Sequence, residues 1–278
     1  MQQVSDMRPW ILVRGAGDLA TGTLLRLHRC GFRVAAAECR NPSAIRRKAA
    51  LCEAVFEGCY SVEGVTARKV LNLKEAEEAS LLGQIPLFVD ETLCCLSFLK
   101  PAAVVDAILA KRNLGTHRAM APITVGLGPG FTAGQDVDAV IETMRGHRLG
   151  RVILDGPAIA NTGVPGLIGG FAAERVIHAP ASGPMIPEPG VDIGSLVEKG
   201  QTIAWIGTTP VPATLDGVLR GLIRPGFPVS KGLKMADIDP RKEQVTCCDT
   251  VSDKARAIGG GVVEALLLLA RQKNISLL

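Results

Sequence analysis

The chain of 278 residues has room for one large or two modest domains, and its 47% hydrophobic content is ample for a buried core. Its net charge of +4 is spread without basic runs and aromatics are only 4%, which leaves no base-stacking surface and excludes nucleic acid as a partner. The longest apolar run, Val262–Ala270, is too short to span a bilayer, and the opening MQQVSDMRPW has no apolar signal core, so a cytoplasmic chain without a membrane partner is expected.

In chain order, Ile11–Val13 predict a buried strand, Leu19–Cys30 a helix ended by Gly31, and Arg33–Ala37 a second strand closing on Glu38. Between the first strand and the helix, Gly15, Gly17 and Ala20 fill the small-residue positions of a G-x-G-x-x-G/A turn, with Gly22 beyond them. Strand, glycine turn, helix, strand and acid together read as a Rossmann-like nucleotide site. Gly15 permits the tight turn, Gly17 lets backbone amides approach a pyrophosphate, and Ala20 keeps the helix near the sheet. Ala16, Thr21 and Gly22 complete the cradle, and Glu38 stands where an acid accepts from a ribose hydroxyl. Asp18 is expected to cap the helix. Arg40, two residues past the acid, is placed to meet a 2′-phosphate, which leaves NAD and NADP both open.

Further on, Ala44–Ala50 predict a short basic helix, and Val62–Leu73 and Lys74–Leu82 a mixture of helix and loop. Ile85–Val89 read as a strand, and Ala102–Leu109 as an apolar run whose Asp106 is either at the sheet's ligand edge or a costly buried group. Ala121–Gly126 predict another strand leading into Leu127–Gly134, a second glycine-rich turn with Gly128 and Gly130. Val137, Val140, Ile141 and Met144 then fall on one face of a helix over Gln135–Met144. That helix would place Asp136, Asp138 and Glu142 beside the cleft as candidate catalytic acids, with His147 after it as a candidate proton donor. Arg151–Leu154 resume a strand, and Asn161–Gly166 form a polar loop.

From about Val176 helical periodicity gives way to short apolar segments between Gly and Pro turns, the pattern of a small β module. It contains a repeat: Gly194-x-x-Val197-x-Lys199-Gly200 recurs as Gly226-x-x-Val229-x-Lys231-Gly232. Two like units close a half-barrel because neither buries its apolar face alone. The repeat resembles the biotinyl/lipoyl hammerhead family, whose modified lysine sits between the halves. Here Thr208–Gly217 contain no lysine, so the fold is expected and the swinging arm is not. Lys254–Arg271 predict a last helix docked on the first domain. None of the eight cysteines forms a C-x-x-C and the four histidines are scattered, so no metal site is expected; only the pairs Cys94-Cys95 and Cys247-Cys248 stand out.

The stretches GAGDLATGTLLRLHRCGFRV, LGPGFTAGQDVDAVIETMRGHRLGRVI, ERVIHAPASG, GLKMADIDPR and SDKARAIGGGVVEA resemble the YqeB family, accessory proteins of selenium-dependent molybdenum hydroxylases. A more distant likeness, through the nucleotide-binding half, is to the XdhC maturation factors of xanthine dehydrogenase. The resemblance implies a role in modifying or inserting a molybdenum cofactor, with the hydroxylase apoenzyme or cofactor-pathway proteins as partners. NAD(P) or a molybdopterin nucleotide would then be the ligand. The expected organisation is an α/β Rossmann-like domain over 8–175, a hammerhead-like β module over 176–240 and a C-terminal helical segment over 241–278. The alternative is an NAD(P)-dependent oxidoreductase acting on a small molecule with His147 as acid; self-association is open in either case.

Overall fold

The computed structural model describes residues 7–163 and 166–278, so the readings of MQQVSDMRPW and of the loop Asn161–Gly166 lie partly outside the described residues. The chain forms two compact units. One comprises the chain up to Pro42, Ala50–Asn161 and Val251–Leu278; the other Ser43–Ala49 and Thr162–Thr250.

The first unit opens with β1 (Trp10–Arg14), α1 (Asp18–Arg29) and β2 (Arg33–Glu38). It continues with α2 (Ala54–Glu57), β3 (Cys59–Val62) and β4 (Val65–Val70). Next come α3 (Leu73–Leu81), β5 (Ile85–Val89), α4 (Leu96–Leu99), β6 (Ala103–Asp106) and β7 (Ile123–Leu127). The short strands β8 (Thr132–Ala133), β9 (Ala139–Ile141), β10 (Val152–Ile153) and β11 (Gly156–Pro157) follow. Nine strands form one sheet in the order β10-β9-β7-β6-β1-β2-β5-β4-β3. From β9 to β4 every pairing is parallel, and only the two edge strands run antiparallel. The central strands are apolar throughout because both faces are covered: Ile11, Leu12 and Val13 have no exposure at all.

Two local expectations fail here, for different reasons. Val62–Leu73 is no helix and loop but the β3–β4 hairpin. Its two-residue turn takes positive φ at both Glu63 (48°) and Gly64 (80°), the geometry that matches strand twist. The helix expected over Gln135–Met144 is a turn followed by β9. The Thr132 N–H donates to Asp136 Oδ2 (2.8 Å), which closes the turn. The Thr124 N–H donates to Asp138 Oδ2 (2.9 Å), which ties the segment to β7. The β-branched residues then extend the sheet instead of lying on a helix face.

The final helix, α5 (Asp253–Lys273), is capped by Ser252, whose Oγ accepts the Ala255 N–H (3.2 Å). It packs on α1 through glycines. A β-carbon on Gly22 would lie 2.5 Å from the Ala255 carbonyl oxygen, and one on Gly259 would lie 2.6 Å from that of Gly22. Among the described residues no helix is long and apolar enough to cross a membrane.

The second unit is antiparallel. Its strands are β12 (Val176–His178), β13 (Gly183–Pro187), β14 (Leu196–Val197), β15 (Thr202–Ile206) and β16 (Thr209–Pro212). β17 (Gly217–Leu222), β18 (Pro228–Val229) and β19 (Lys234–Asp239) complete it. They form two sheets, β12-β19-β17-β14 and β16-β15-β13-β18. The repeat is visible in the pairing. β13 pairs with β15 and β18, and β17 pairs with β19 and β14, so each half lends its short strand to the other half's sheet. Met185, Ile203, Val218 and Met235 are fully enclosed in the shared core, which neither half could form by itself. Residues 43–49 join this unit: a single 3-10 turn, Arg47–Ala49, stands where a short helix is expected, and the Leu222 N–H donates to the Ile45 carbonyl (2.8 Å).

Candidate functional site

The chain passes from β1 to β2 on one side, then returns to lay β6 on the other side of β1. Where strand order reverses, the loops after neighbouring strands diverge and leave a crevice at their carboxyl ends. The Gly15–Gly17 turn follows β1 at that point. Gly15, at φ 103°, lies against the chain just past β6: a β-carbon there would come 3.2 Å from the Ala107 backbone. Gly17 differs, because among the described residues nothing lies within 4 Å of its β-carbon position. Gly17, not Asp18, is the N-cap of α1, and no side chain caps the helix; Asp18 is its first residue. The first amides of α1 therefore have no side-chain cap.

Glu38, at the carboxyl end of β2, spans the turn. Its Oε2 accepts the Ala16 N–H (2.8 Å) and its Oε1 the Cys39 N–H (2.7 Å). The acid thus occupies the first amide of the turn. The back of the turn is closed by Ala50–Cys52: the Cys52 N–H donates to the Ala16 carbonyl (2.8 Å) and the Leu51 N–H to the Thr21 hydroxyl (2.9 Å). Ala16, Ala20, Thr21 and Gly22 are consequently buried and support the turn from beneath, Gly22 as the α5 contact. Gly17, Asp18 and Glu38 are half-buried and Arg40 is exposed; the Arg40 N–H donates to Glu91 Oε1 (3.1 Å).

Beside the turn, Arg14 and Asp106 end β1 and β6 in register. Asp106 is both at the carboxyl edge of the sheet and buried. Its charge is met by the Thr116 hydroxyl (2.6 Å), the Ile108 N–H (3.1 Å) and Arg14 Nη1 (3.3 Å). Arg14 also holds the Leu114 carbonyl (3.1 Å), so the pair anchors the loop that follows β6. The sequence reading missed Arg14 and Thr116. Opposite charges ending two neighbouring parallel strands were the available signal.

The second glycine turn is not a comparable seat. A β-carbon on Gly128 would meet the Thr143 hydroxyl at 2.5 Å, and one on Gly130 the Arg112 backbone at 2.6 Å. These glycines let chain approach chain. The carboxylates placed with them are engaged in the fold as well. Glu142 is buried and accepts from the Met144 (2.7 Å) and Ile159 (2.9 Å) amides. Asp138 also bonds Arg118 Nε (3.0 Å) and faces Lys273 Nζ at 2.9 Å. Burial pushes its carboxyl up, but the lysine and the Thr124 amide outweigh that and hold it below the ordinary aspartate value. His147 is exposed in the turn between β9 and β10.

Cys39 and Cys52 lie near the first turn. Burial, followed by the Glu38 charge, pushes the Cys39 thiol up to about 12, and the same two causes raise buried Cys52. Of the flagged pairs, Cys95 and Cys248 are buried with raised pKa and their partners Cys94 and Cys247 are exposed.

A protein of Escherichia coli K12, "Uncharacterized protein YqeB", is 53% identical over 262 residues, 94% of this chain. The chain is similar to YqeB along nearly its whole length. It spans about half, 48%, of that protein's length. The match supports the resemblance to the YqeB family that the motifs carry. No protein-family model matches the chain, and no solved structure does.

Proposed function

We propose that the first unit is a Rossmann-like domain binding a nucleotide-bearing cofactor, NAD(P) or a molybdopterin nucleotide, and that the protein serves the maturation of selenium-dependent molybdenum hydroxylases. One observation carries the binding half: the uncapped end of α1 and the open space over Gly17 stand where the strand order reverses. Glu38 would exchange its bond to the Ala16 amide for a ligand hydroxyl, freeing that amide for phosphate. The pathway half rests on the motif resemblance, which the likeness to YqeB supports. The second unit is read as a hammerhead-like half-barrel without the modifiable lysine.

Gly17→Val tests the site. The position has space and an ordinary φ of −63°, so the fold should survive at a cost of roughly 1 kcal/mol while ligand approach is blocked. Calorimetry should show wild type binding NAD(P) or a pterin nucleotide and the variant at least tenfold weaker. Equal affinity in both would remove the glycine turn from the site. Full hydroxylase activity and selenium content in cells lacking the protein would end the maturation role.

A further inference from the structure

Resting on the nucleotide reading above, we propose that the nucleotide bound at the glycine turn carries a free 2′,3′-diol, so that of the two nicotinamide cofactors the site accepts NAD and turns away NADP. The selecting feature is the short chain just past β2. If Glu38 meets the ribose, that chain is where a phosphate on the 2′-oxygen would have to be received.

A 2′-phosphate brings about two negative charges, and these need amide donors or cations. The two backbone donors that follow Glu38 are already taken, each by a carboxylate. The Cys39 N–H donates to Glu38 Oε1 (2.7 Å) and the Arg40 N–H to Glu91 Oε1 (3.1 Å). Successive amides thus fix two acids on three residues of chain. Strand pairing brings the second acid there. β2 and β5 run parallel with Glu38 opposite Val89, and the Asp90 N–H donates to the Glu38 carbonyl (2.9 Å), so Glu91 arrives beside Arg40.

The local charge is negative as well. Burial pushes the Asp90 carboxyl up, but the Cys95 and Cys94 amides outweigh that and hold it below the ordinary aspartate value, so a third anion stands at this edge. The Cys39 thiol registers the same surroundings: after burial, the Glu38 charge and, more weakly, that of Glu91 push it up. Arg40 is the one basic residue of 38–42, and its single exposed charge is set against those of Glu38 and Glu91. A diol fares differently. It is neutral and donates, so the carboxylates that repel a phosphate can accept from its hydroxyls.

Calorimetry on the whole protein compares NAD with NADP, which differ only in the 2′-phosphate. NAD should bind about tenfold more tightly at low ionic strength, and the preference should shrink at high salt because Glu91 is exposed. Glu91→Gln removes one charge but keeps an oxygen for the Arg40 amide, so it should strengthen NADP binding and cut the preference several-fold. NADP binding as tightly as NAD, or an unchanged preference in Glu91→Gln, would overturn the diol selection and leave nucleotide binding intact. Binding of neither cofactor would also overturn it. The nucleotide reading falls with it only if the wild type binds no pterin nucleotide either.

Discussion

Replacing Gly22 by alanine tests the contact on which the first unit closes. The new methyl carbon would sit 2.5 Å from the Ala255 carbonyl oxygen and 2.7 Å from the Ala255 Cβ, so α1 and α5 must move apart. Backbone cannot yield as a flexible side chain would, so the cost falls in the upper part of the overpacking range, about 2–3 kcal/mol. Alanine returns about 1 kcal/mol through helix propensity. The net effect is a loss of ~1–2 kcal/mol, or a fall in Tm of about 2–8 °C. Gly260→Ala is the control. It lies in the same run of α5, but nothing approaches its β-carbon within 4 Å, so only the propensity gain of ~0.5–1 kcal/mol applies. Guanidinium denaturation read by the helical circular dichroism signal should therefore move in opposite directions for the two variants. A Gly22→Ala protein as stable as wild type, or a Gly260→Ala protein equally damaged, would refute the close-packing argument.

Asp138, with its carboxyl held below the ordinary value, stabilises the fold above the unfolded-state pKa of about 3.9 and loses that contribution as pH falls toward its folded pKa. Asp138→Asn should cost ~1–3 kcal/mol at pH 7 and progressively less below pH 4; urea titrations showing a pH-independent difference would contradict the assignment. Alkylation at pH 8, followed by peptide mass spectrometry, should label exposed Cys30, Cys59, Cys94 and Cys247 before Cys39, Cys52, Cys95 and Cys248. Glu38→Gln removes the charge that helps raise the Cys39 thiol, so Cys39 should react several-fold faster; an unchanged rate would mean that burial alone protects it.

Much of the first unit was legible because its signals are local. Ile11–Val13, Ile85–Val89 and Ala102–Leu109 are apolar stretches, and each contains a central strand, the last one stopping at Asp106. The glycine repeat likewise announced a two-part β unit, since Gly and Lys at fixed offsets mark equivalent turns. Gln135–Met144 shows where local signals stop. Its apolar spacing fits a helix, and the deciding contacts are side-chain bonds from Asp136 to Thr132 and from Asp138 to Thr124, the latter reaching a strand that sequence spacing does not bring near. Glycines make the same point. By sequence Gly17, Gly22, Gly128 and Gly130 were all candidates for a ligand seat. Only the tertiary structure distinguishes the one facing open space from those filled by α5, Thr143 and the Arg112 backbone, because what a missing β-carbon makes room for depends on which distant segment packs above it.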